Sequence, residues 1–181
     1  SARRRGRPSS SARRRTERSS RVAMGSQRGD RAASLSTLCL ACGMCCDGNL
    51  FTQVPLAEDE AVRLRGRGLV VSVREDGSPA LRQRCEALAG RCCRIYDERP
   101  AGCRRHACML HAALTADEVE LAEALEVVAQ AHTLLAAADM ALPPGPAAVL
   151  QRARQALRAG EVPAAGEAAR RHLARHFQRD V

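Results

Sequence analysis

The chain of 181 residues has no lysine and no tryptophan, and it holds one tyrosine and two phenylalanines. With so few aromatic side chains, the apolar core must be built from alanine, leucine and valine. Alanine buries little surface, so this core gains less than usual from the hydrophobic effect. The absence of lysine leaves arginine as the cation everywhere, which is a usage typical of GC-rich genomes.

Long apolar runs are also missing from the sequence. No stretch approaches the ~20 apolar residues of a membrane span, and no apolar signal-peptide core follows the N-terminal arginines. The sequence therefore favours a soluble, intracellular protein, and we expect a cytoplasmic location without membrane binding. The length allows one domain and some tail, and no internal repeat is present.

Positive charge is concentrated in residues 1–33. Eleven arginines and two acids there account for the whole net charge of +9, and arginines and acids balance in the remaining residues. Such a segment cannot bury enough surface to offset its ordering entropy, so we predict disorder over residues 1–33. Other interpretations are non-specific nucleic-acid binding, a transit peptide and a true start at Met24. No aromatic side chain interleaves the arginines as base stacking requires, so we do not expect nucleic-acid binding.

Cysteine is absent before Cys39 and after Cys108, so all nine cysteines fall in one segment. The first four follow the pattern C-x2-C-x2-C-C and are Cys39, Cys42, Cys45 and Cys46. The second group contains Cys85, Cys92, Cys93, Cys103 and Cys108. In a reducing cytosol this dense pattern favours a metal-binding or redox-active site over a disulfide framework, and the odd count agrees.

The spacing of the first group fits two kinds of metal centre. A C-x2-C turn brings two thiolates to one ion, as in structural zinc sites. The steps of three from Cys39 to Cys45 also match the three-ligand loop of an iron–sulfur cluster. Cys46 follows Cys45 directly, and neighbours in an extended chain point to opposite sides. The pair therefore serves two different ions, or one of the two faces the core.

A metal would offset the weak core, because binding to the folded state adds to the folding free energy. Single cysteines are common as small buried hydrophobes, but nine clustered cysteines favour metal. Several thiolates around one divalent ion leave a net negative charge, which the arginines next to the second cysteine group could offset. For any single one of these arginines, we favour the simpler interpretation of a solvent-exposed side chain. These arginines are Arg84, Arg91, Arg94, Arg99, Arg104 and Arg105.

Histidines give a weaker signal than the cysteines. His106 and His111 flank the last cysteine, and either could replace a cysteine ligand. His172 and His176 stand four apart on a predicted helix, but without a nearby cysteine or acid we interpret them as surface residues. We interpret His132 as a half-buried histidine with satisfied hydrogen bonds.

The remaining patterns predict a mainly α fold with a small β-hairpin and irregular cysteine-rich loops held by metal. A strand over Leu69–Val73 precedes the turn Asp76-Gly77, after which the chain returns toward the second cysteine group. A capping-box pattern at Thr115–Glu118 opens a long helix that extends to about Asp139. Shorter helices are predicted over Pro55–Leu64, 147–158 and 164–178.

We accordingly predict a single small domain behind a disordered tail. Its parts are the tail 1–33, a cysteine-cluster metal-binding domain 34–140 and a C-terminal helical pair 147–181. That pair is too small to fold alone, so it packs on the domain or offers a surface to an unknown protein partner.

Together, C-x2-C-G-x-C-C, a lone cysteine and the string from Cys93 to Pro100 (C-R-I-Y-D-E-R-P) resemble the YkgJ-like cysteine-cluster family. Its members are described as zinc- or iron-chelating domain proteins. The resemblance implies eight metal ligands: Cys39, Cys42, Cys45, Cys46, Cys85, Cys93, Cys103 and Cys108. Cys92 is extra to the pattern. The family's usual aromatic and proline before the last cysteine are replaced here by Arg105-His106-Ala107.

The resemblance implies a metal-binding cysteine-cluster protein that chelates zinc or iron through the CxxCxxCC loop and the second cysteine group. Flagellin lysine methylases carry a similar cluster, which implies an iron–sulfur redox or protein-methylation-related enzyme component as the alternative. No nucleotide- or methyl-donor-binding motif is present, so enzyme activity stays open. Within the family string, Tyr96 donates to a bound thiolate or anchors its loop, and Arg99 pairs with Asp97 or another acid.

Overall fold

A computed structural model describes residues 30–178 of the chain. The predicted disorder of the tail and the start at Met24 lie almost wholly outside the described residues. Residues 30–33, which we had assigned to the tail, belong to the helix α1, which is described over residues 30–42. This helix therefore carries the chain directly into the first cysteine group.

The fold is mainly helical with a small antiparallel sheet, which confirms the predicted fold class; its metal remains a prediction. The remaining helices are α2 (Glu58–Gly66), α3 (Ala101–Arg105), α4 (Met109–Thr115), α5 (Leu121–Ala141), α6 (Val149–Arg158) and α7 (Ala164–Phe177). The strands are β1 (Gln53–Pro55), β2 (Val71–Val73), β3 (Pro79–Arg82), β4 (Leu88–Ala89) and β5 (Cys92–Cys93). A short 3-10 turn covers Tyr96–Glu98.

The long helix α5 begins later than its predicted capping box. Thr115 is the last residue of α4, and Asp117 adopts a left-handed φ of +57° between the two helices. The N-cap of α5 is Glu120, whose amide donates to the Glu123 carboxylate at 3.3 Å in a capping box. The sequence thus contains two capping-box patterns in succession, Thr115–Glu118 and Glu120–Glu123, and the second one begins α5.

A helical subcore forms where α1, α4, α5, α6 and α7 pack together. The buried face of α5 consists largely of alanines, which let α7 approach closely, and α7 contributes Leu173 and Phe177. The C-terminal helices therefore pack on the rest of the domain. Whether they also bind a partner stays a prediction.

By length and composition alone, α5 could span a membrane, which differs from our expectation that no stretch would approach such a span. The criterion is weak, because core helices of globular proteins also meet it. Here Ala124, Val128, Ala131, Leu135 and Ala138 belong to the helical subcore, so this face of α5 has the contacts of a core helix.

The sheet has the strand order β1-β3-β2, with all pairs antiparallel. The predicted hairpin is confirmed: Gly77 has a φ of +82° and the Arg74 amide donates to the Ser78 carbonyl at 2.9 Å. The addition of β1 makes this hairpin a three-stranded sheet. Helix α2 packs on it, and together they form a sheet subcore that includes Val54, Leu64 and Leu81.

Glu60 links α2 to the second cysteine group although it is only 7% exposed. Its carboxylate accepts hydrogen bonds from the amides of Ala57 at 3.1 Å and Ala101 at 2.7 Å. Ala101 is the first residue of α3, the helix that carries Cys103. A buried carboxylate thus fixes the position of a cysteine-bearing helix.

We expect Glu60→Gln to lower the unfolding free energy by about 1–3 kcal/mol, because one backbone amide would face an NH2 group and lose its acceptor. Glu58→Gln is the matched control, since Glu58 is exposed in the first turn of the same helix. Urea unfolding of both variants checks the prediction. Equal stability of the two variants would contradict the role given to Glu60.

Candidate metal centre

The first cysteine group begins on the last turn of α1. Cys39 and Cys42 are three residues apart, so their side chains lie on one face of the helix. Gly43 ends the helix with a φ of +66°, and its amide donates to the Cys39 carbonyl at 3.2 Å. The Cys46 amide then donates to the Gly43 carbonyl at 2.8 Å, which holds Cys45 and Cys46 in a tight turn.

Gly43 is required for space as well as for conformation. A Cβ atom at this position would lie 2.8 Å from the backbone oxygen of Arg91. Gly90 also has a positive φ, of +61°, but open space surrounds it. The two glycines therefore separate the effect of conformation from that of a collision with backbone.

We expect Gly90→Ala to cost about 1–2 kcal/mol, the usual penalty of a left-handed conformation for a residue with a Cβ. Gly43→Ala should cost clearly more, because it adds the collision with Arg91. Denaturant unfolding of both variants provides the measurement. If the two substitutions cost the same, the close approach of the two loops is not a feature of the protein in solution.

Three cysteines of the second group lie in short regular elements where we had predicted loops, while Cys85 and Cys108 lie outside them. Cys92 and Cys93 form β5, and Cys103 lies within α3. Cys108 is the N-cap of α4, and its Sγ accepts a hydrogen bond from the His111 amide at 3.4 Å. The group is therefore held by backbone structure before any ligand is added.

Seven of the nine cysteines line one cavity of ≈ 80 Å³, which we call the cysteine cavity. They are Cys39, Cys42, Cys45, Cys46, Cys93, Cys103 and Cys108. Its apolar wall comes from both subcores, with Val54 on the sheet side and Val128 and Phe177 on the helical side. The cavity therefore lies at the seam between the two subcores.

The other two cysteines lie outside the cavity wall in different ways. Cys85 is buried in the sheet subcore, and its amide donates to the Cys46 carbonyl at 2.8 Å. Cys92 is exposed, and its Sγ donates to the Leu40 carbonyl at 3.6 Å. That Cys85 is a ligand and Cys92 is extra to the ligand pattern stays a prediction.

Burial dominates the electrostatics of the thiols. It raises the pKa of Cys42 to about 12, with the neighbouring thiols of Cys108 and Cys39 adding to the effect. Burial likewise raises the pKa of Cys103 to about 11. Desolvation disfavours the charged form, so these thiols keep their protons at neutral pH unless a cation replaces them.

Arg99 and Tyr96 form a cationic corner of the cavity. The Arg99 guanidinium lies 3.4 Å from the centre of the Tyr96 ring, and its Nε donates to the Tyr96 carbonyl at 2.7 Å. None of the ion pairs among residues 30–178 involves Arg99, so the predicted pairing with Asp97 or another acid is not found. Burial raises the pKa of the Cys39 thiol, and a side-chain hydrogen bond from Tyr96 opposes that shift.

Of the six arginines near the second cysteine group, Arg91 and Arg99 line the cysteine cavity. Arg94 instead donates to the Glu86 carbonyl at 2.7 Å, and Arg104 to the Arg99 carbonyl at 2.5 Å. Within this group of six, Arg91 and Arg99 are therefore the arginines placed to offset the negative charge of thiolates in the cavity.

The histidines fall into two groups. His106 and His111 both line the cavity, so each stays a candidate ligand in place of a cysteine. His172 and His176, which we had interpreted as surface residues, are half-buried. His172 and His176 stack on α7, with ring centres 4.7 Å apart, and His172 Nε2 lies 3.1 Å from the Val127 carbonyl oxygen. Neither lines the cysteine cavity.

Two side chains brace the backbone of the first cysteine group, and neither of them was identified in that role from the sequence. In the amide orientation that satisfies its hydrogen bonds, Gln83 donates to the carbonyls of Cys46 at 2.9 Å and Cys45 at 3.1 Å. His132 Nε2 lies 2.9 Å from the Cys42 carbonyl oxygen. His132 thus has the satisfied, half-buried role that we expected, but no local pattern indicates its partner or that of Gln83.

Within residues 30–178, no three side chains of histidine, cysteine, aspartate or glutamate already converge as metal ligands. The cavity thiols would have to turn toward an ion to bind it. Their chemistry fits soft and borderline ions such as zinc and iron, whereas calcium and magnesium require oxygen ligands.

Comparisons with known proteins give one match. The sequence model of the CxxCxxCC family, described as "Putative zinc- or iron-chelating domain", matches residues 38–131. Neither the curated proteins nor the solved structures contain a match to this chain. The family match covers more than half of the chain and includes all nine cysteines. The chain therefore belongs to the CxxCxxCC family, which is the YkgJ-like family that its cysteine pattern resembles.

Proposed function

We propose that this protein chelates zinc or iron through the thiolates of the CxxCxxCC loop and of the second cysteine group. The observation that supports this most strongly is the enclosure of seven cysteines by one cavity. Structural zinc sites of this kind use four cysteine or histidine ligands. The ligands proposed are those of the family pattern, which adds the buried Cys85 and leaves out the exposed Cys92.

Metal bonds in this cavity would tie together segments that are far apart in the sequence. Cys42 lies at the end of α1 and Cys108 at the start of α4, while Cys46 follows α1 and Cys103 lies on α3, so metal bonds to these cysteines would cross-link separate elements. Metal binding to the folded state adds directly to its stability. The chemistry that the metal supplies in this proposal is structural cross-linking by chelation.

Thermal unfolding before and after metal removal tests the proposal. Protein purified without oxygen is divided, one part is stripped with a chelator, and zinc or iron(II) is then returned. We expect a large drop in melting temperature on stripping and recovery with either metal. Magnesium is the control ion and should restore nothing, because it requires oxygen ligands. Identical melting of loaded and stripped protein would contradict a structural metal.

An iron–sulfur cluster is the alternative occupant, because Cys39, Cys42 and Cys45 follow the steps of three of a cluster-binding loop. Such a cluster would favour a redox or protein-methylation-related role. Acid-labile sulfide and a visible absorbance band distinguish it from zinc, which is colourless.

A further inference from the structure

The eight proposed ligands divide between the two subcores. Cys42 belongs to the helical subcore and Cys108 packs against it. Cys85 belongs to the sheet subcore, and Cys46 and Cys103 pack against that one. Five cysteines are thus assigned to one side or the other by their packing alone, and the remaining three can be placed by their neighbours.

Cys39 and Cys45 join the helical side. Cys39 lies one turn before Cys42 on α1, and it also neighbours Cys108 closely enough to raise the pKa of that thiol. Cys45 has three thiol neighbours that act on its charge, namely Cys42, Cys108 and Cys39. The first set therefore consists of Cys39, Cys42, Cys45 and Cys108.

Cys93 joins the sheet side. The Arg94 amide, next to Cys93 in the chain, donates to the carbonyl of Ala87 in the sheet subcore at 2.8 Å. Cys46, Cys85 and Cys103 all have Cys93 among the thiols that act on their charge. The Cys46 carbonyl also accepts the Cys85 amide at 2.8 Å. The second set therefore consists of Cys46, Cys85, Cys93 and Cys103. The contact between the sets is that of Cys45 with Cys46, which are neighbours in the chain.

Each set supplies four thiols, the number that a closed zinc site uses. We propose that the protein holds two metal ions, one in each four-cysteine set, and that the adjacent Cys45 and Cys46 bind different ions. This inference rests on the proposed function, since it assigns ligands to ions that the function requires. The break between Cys45 and Cys46 is where the chain passes from the helical side to the sheet side.

Two neighbouring thiolate sites need positive charge close to them, and the cysteine cavity provides it. Four thiolates around one divalent ion leave a net negative charge, and two such sites side by side would repel each other. Arg99 lines the cysteine cavity, and its charge acts on Cys39 of the first set and on Cys93 and Cys103 of the second. Its single positive charge therefore reduces, without cancelling, the repulsion between the two sites.

Cobalt(II) titration of anaerobic, metal-free protein tests the inference, because cobalt in a thiolate site absorbs visible light. Wild-type protein should saturate at two equivalents, and X-ray absorption should give four sulfur neighbours per cobalt. Cys45→Ser and Cys46→Ser should each bind one equivalent, whereas Cys92→Ser, the matched control, should keep two. Circular dichroism reports whether each variant is folded.

Alkylation of the loaded variants, mapped by mass spectrometry, tests which cysteines share an ion. In Cys45→Ser, the thiols of Cys39, Cys42 and Cys108 should become reactive while the second set stays protected. In Cys46→Ser the pattern should reverse. A folded variant that loses both ions or exposes both sets would overturn the division.

If the variants do not fold, the number of cobalt ions bound per wild-type chain tests whether there are two sites. Saturation at two equivalents with four sulfurs each supports two separate sites, and saturation at one equivalent overturns them while leaving chelation intact. No binding of cobalt, zinc or iron would instead overturn the proposed function itself, so the two failures are distinguishable.

Discussion

Cys42→Ser is expected to remove bound metal and destabilise the fold together, whereas Cys92→Ser is expected to do neither. Cys42 is 8% exposed, belongs to the helical subcore and lines the cysteine cavity. Zinc binding to cysteine sites contributes about 10–16 kcal/mol, while whole domains are stable by only about 5–15 kcal/mol. Loss of one ion would therefore remove most of the stability of a core that is rich in alanine.

Cys92→Ser is the matched control for Cys42→Ser. Cys92 is a cysteine next to a proposed ligand, but it is exposed and lies outside the cavity wall. Metal content and urea unfolding should be measured on both variants, purified in parallel without oxygen. Equal loss of metal from the two would refute the ligand assignment, because it would mean that position in the cavity does not decide binding.

Phe177→Ala is expected to lower the unfolding free energy by about 3–5 kcal/mol, the usual cost of truncating a buried phenylalanine. Phe177 ends α7, is 3% exposed and forms part of the cavity wall. Its loss would leave a void beside the cysteines that the surrounding helices fill only in part. With two phenylalanines in the whole chain, few side chains of that size are present to compensate.

Met140→Ala is the matched control, because Met140 is 91% exposed at the end of α5 and should change stability by less than about 0.5 kcal/mol. Denaturant unfolding of the metal-loaded proteins gives both values. A cost below about 1 kcal/mol for Phe177→Ala would show that α7 does not close the cavity wall in solution.

The predictions that held were the ones carried by local pattern. The hairpin followed from β-branched residues before Asp76-Gly77, and the C-terminal helices followed from apolar residues at helical spacing. The cysteine pattern identified the family because its spacing is a property of the sequence itself. The hairpin and the helices are decided by residues within a few positions of one another, and the family is decided by the order and spacing of residues along the chain.

The predictions that failed depended on contacts between distant segments. The cysteine-rich segments were predicted to be irregular loops, yet Pro100 is the N-cap of the helix α3, which carries Cys103. Gly102 is required there because a Cβ would lie 2.6 Å from the Val54 side chain, on a strand that precedes it by nearly fifty residues. The hydrogen-bond partners of Gln83 and the position of Phe177 in the cavity wall also depend on contacts between segments that are distant in the sequence. The division of the cysteines between two subcores likewise becomes visible only in the fold.

The central claim is that the cysteine cavity holds metal, and elemental analysis tests it most directly. The sample is full-length protein purified without oxygen, analysed for metals and acid-labile sulfide together with its ultraviolet–visible spectrum. The account predicts zinc or iron bound at up to two ions per chain, with zinc leaving the protein colourless. Iron with equivalent sulfide and a visible band would identify a cluster in the same cavity. Protein that is folded, free of metal and unable to take up zinc or iron would contradict the account.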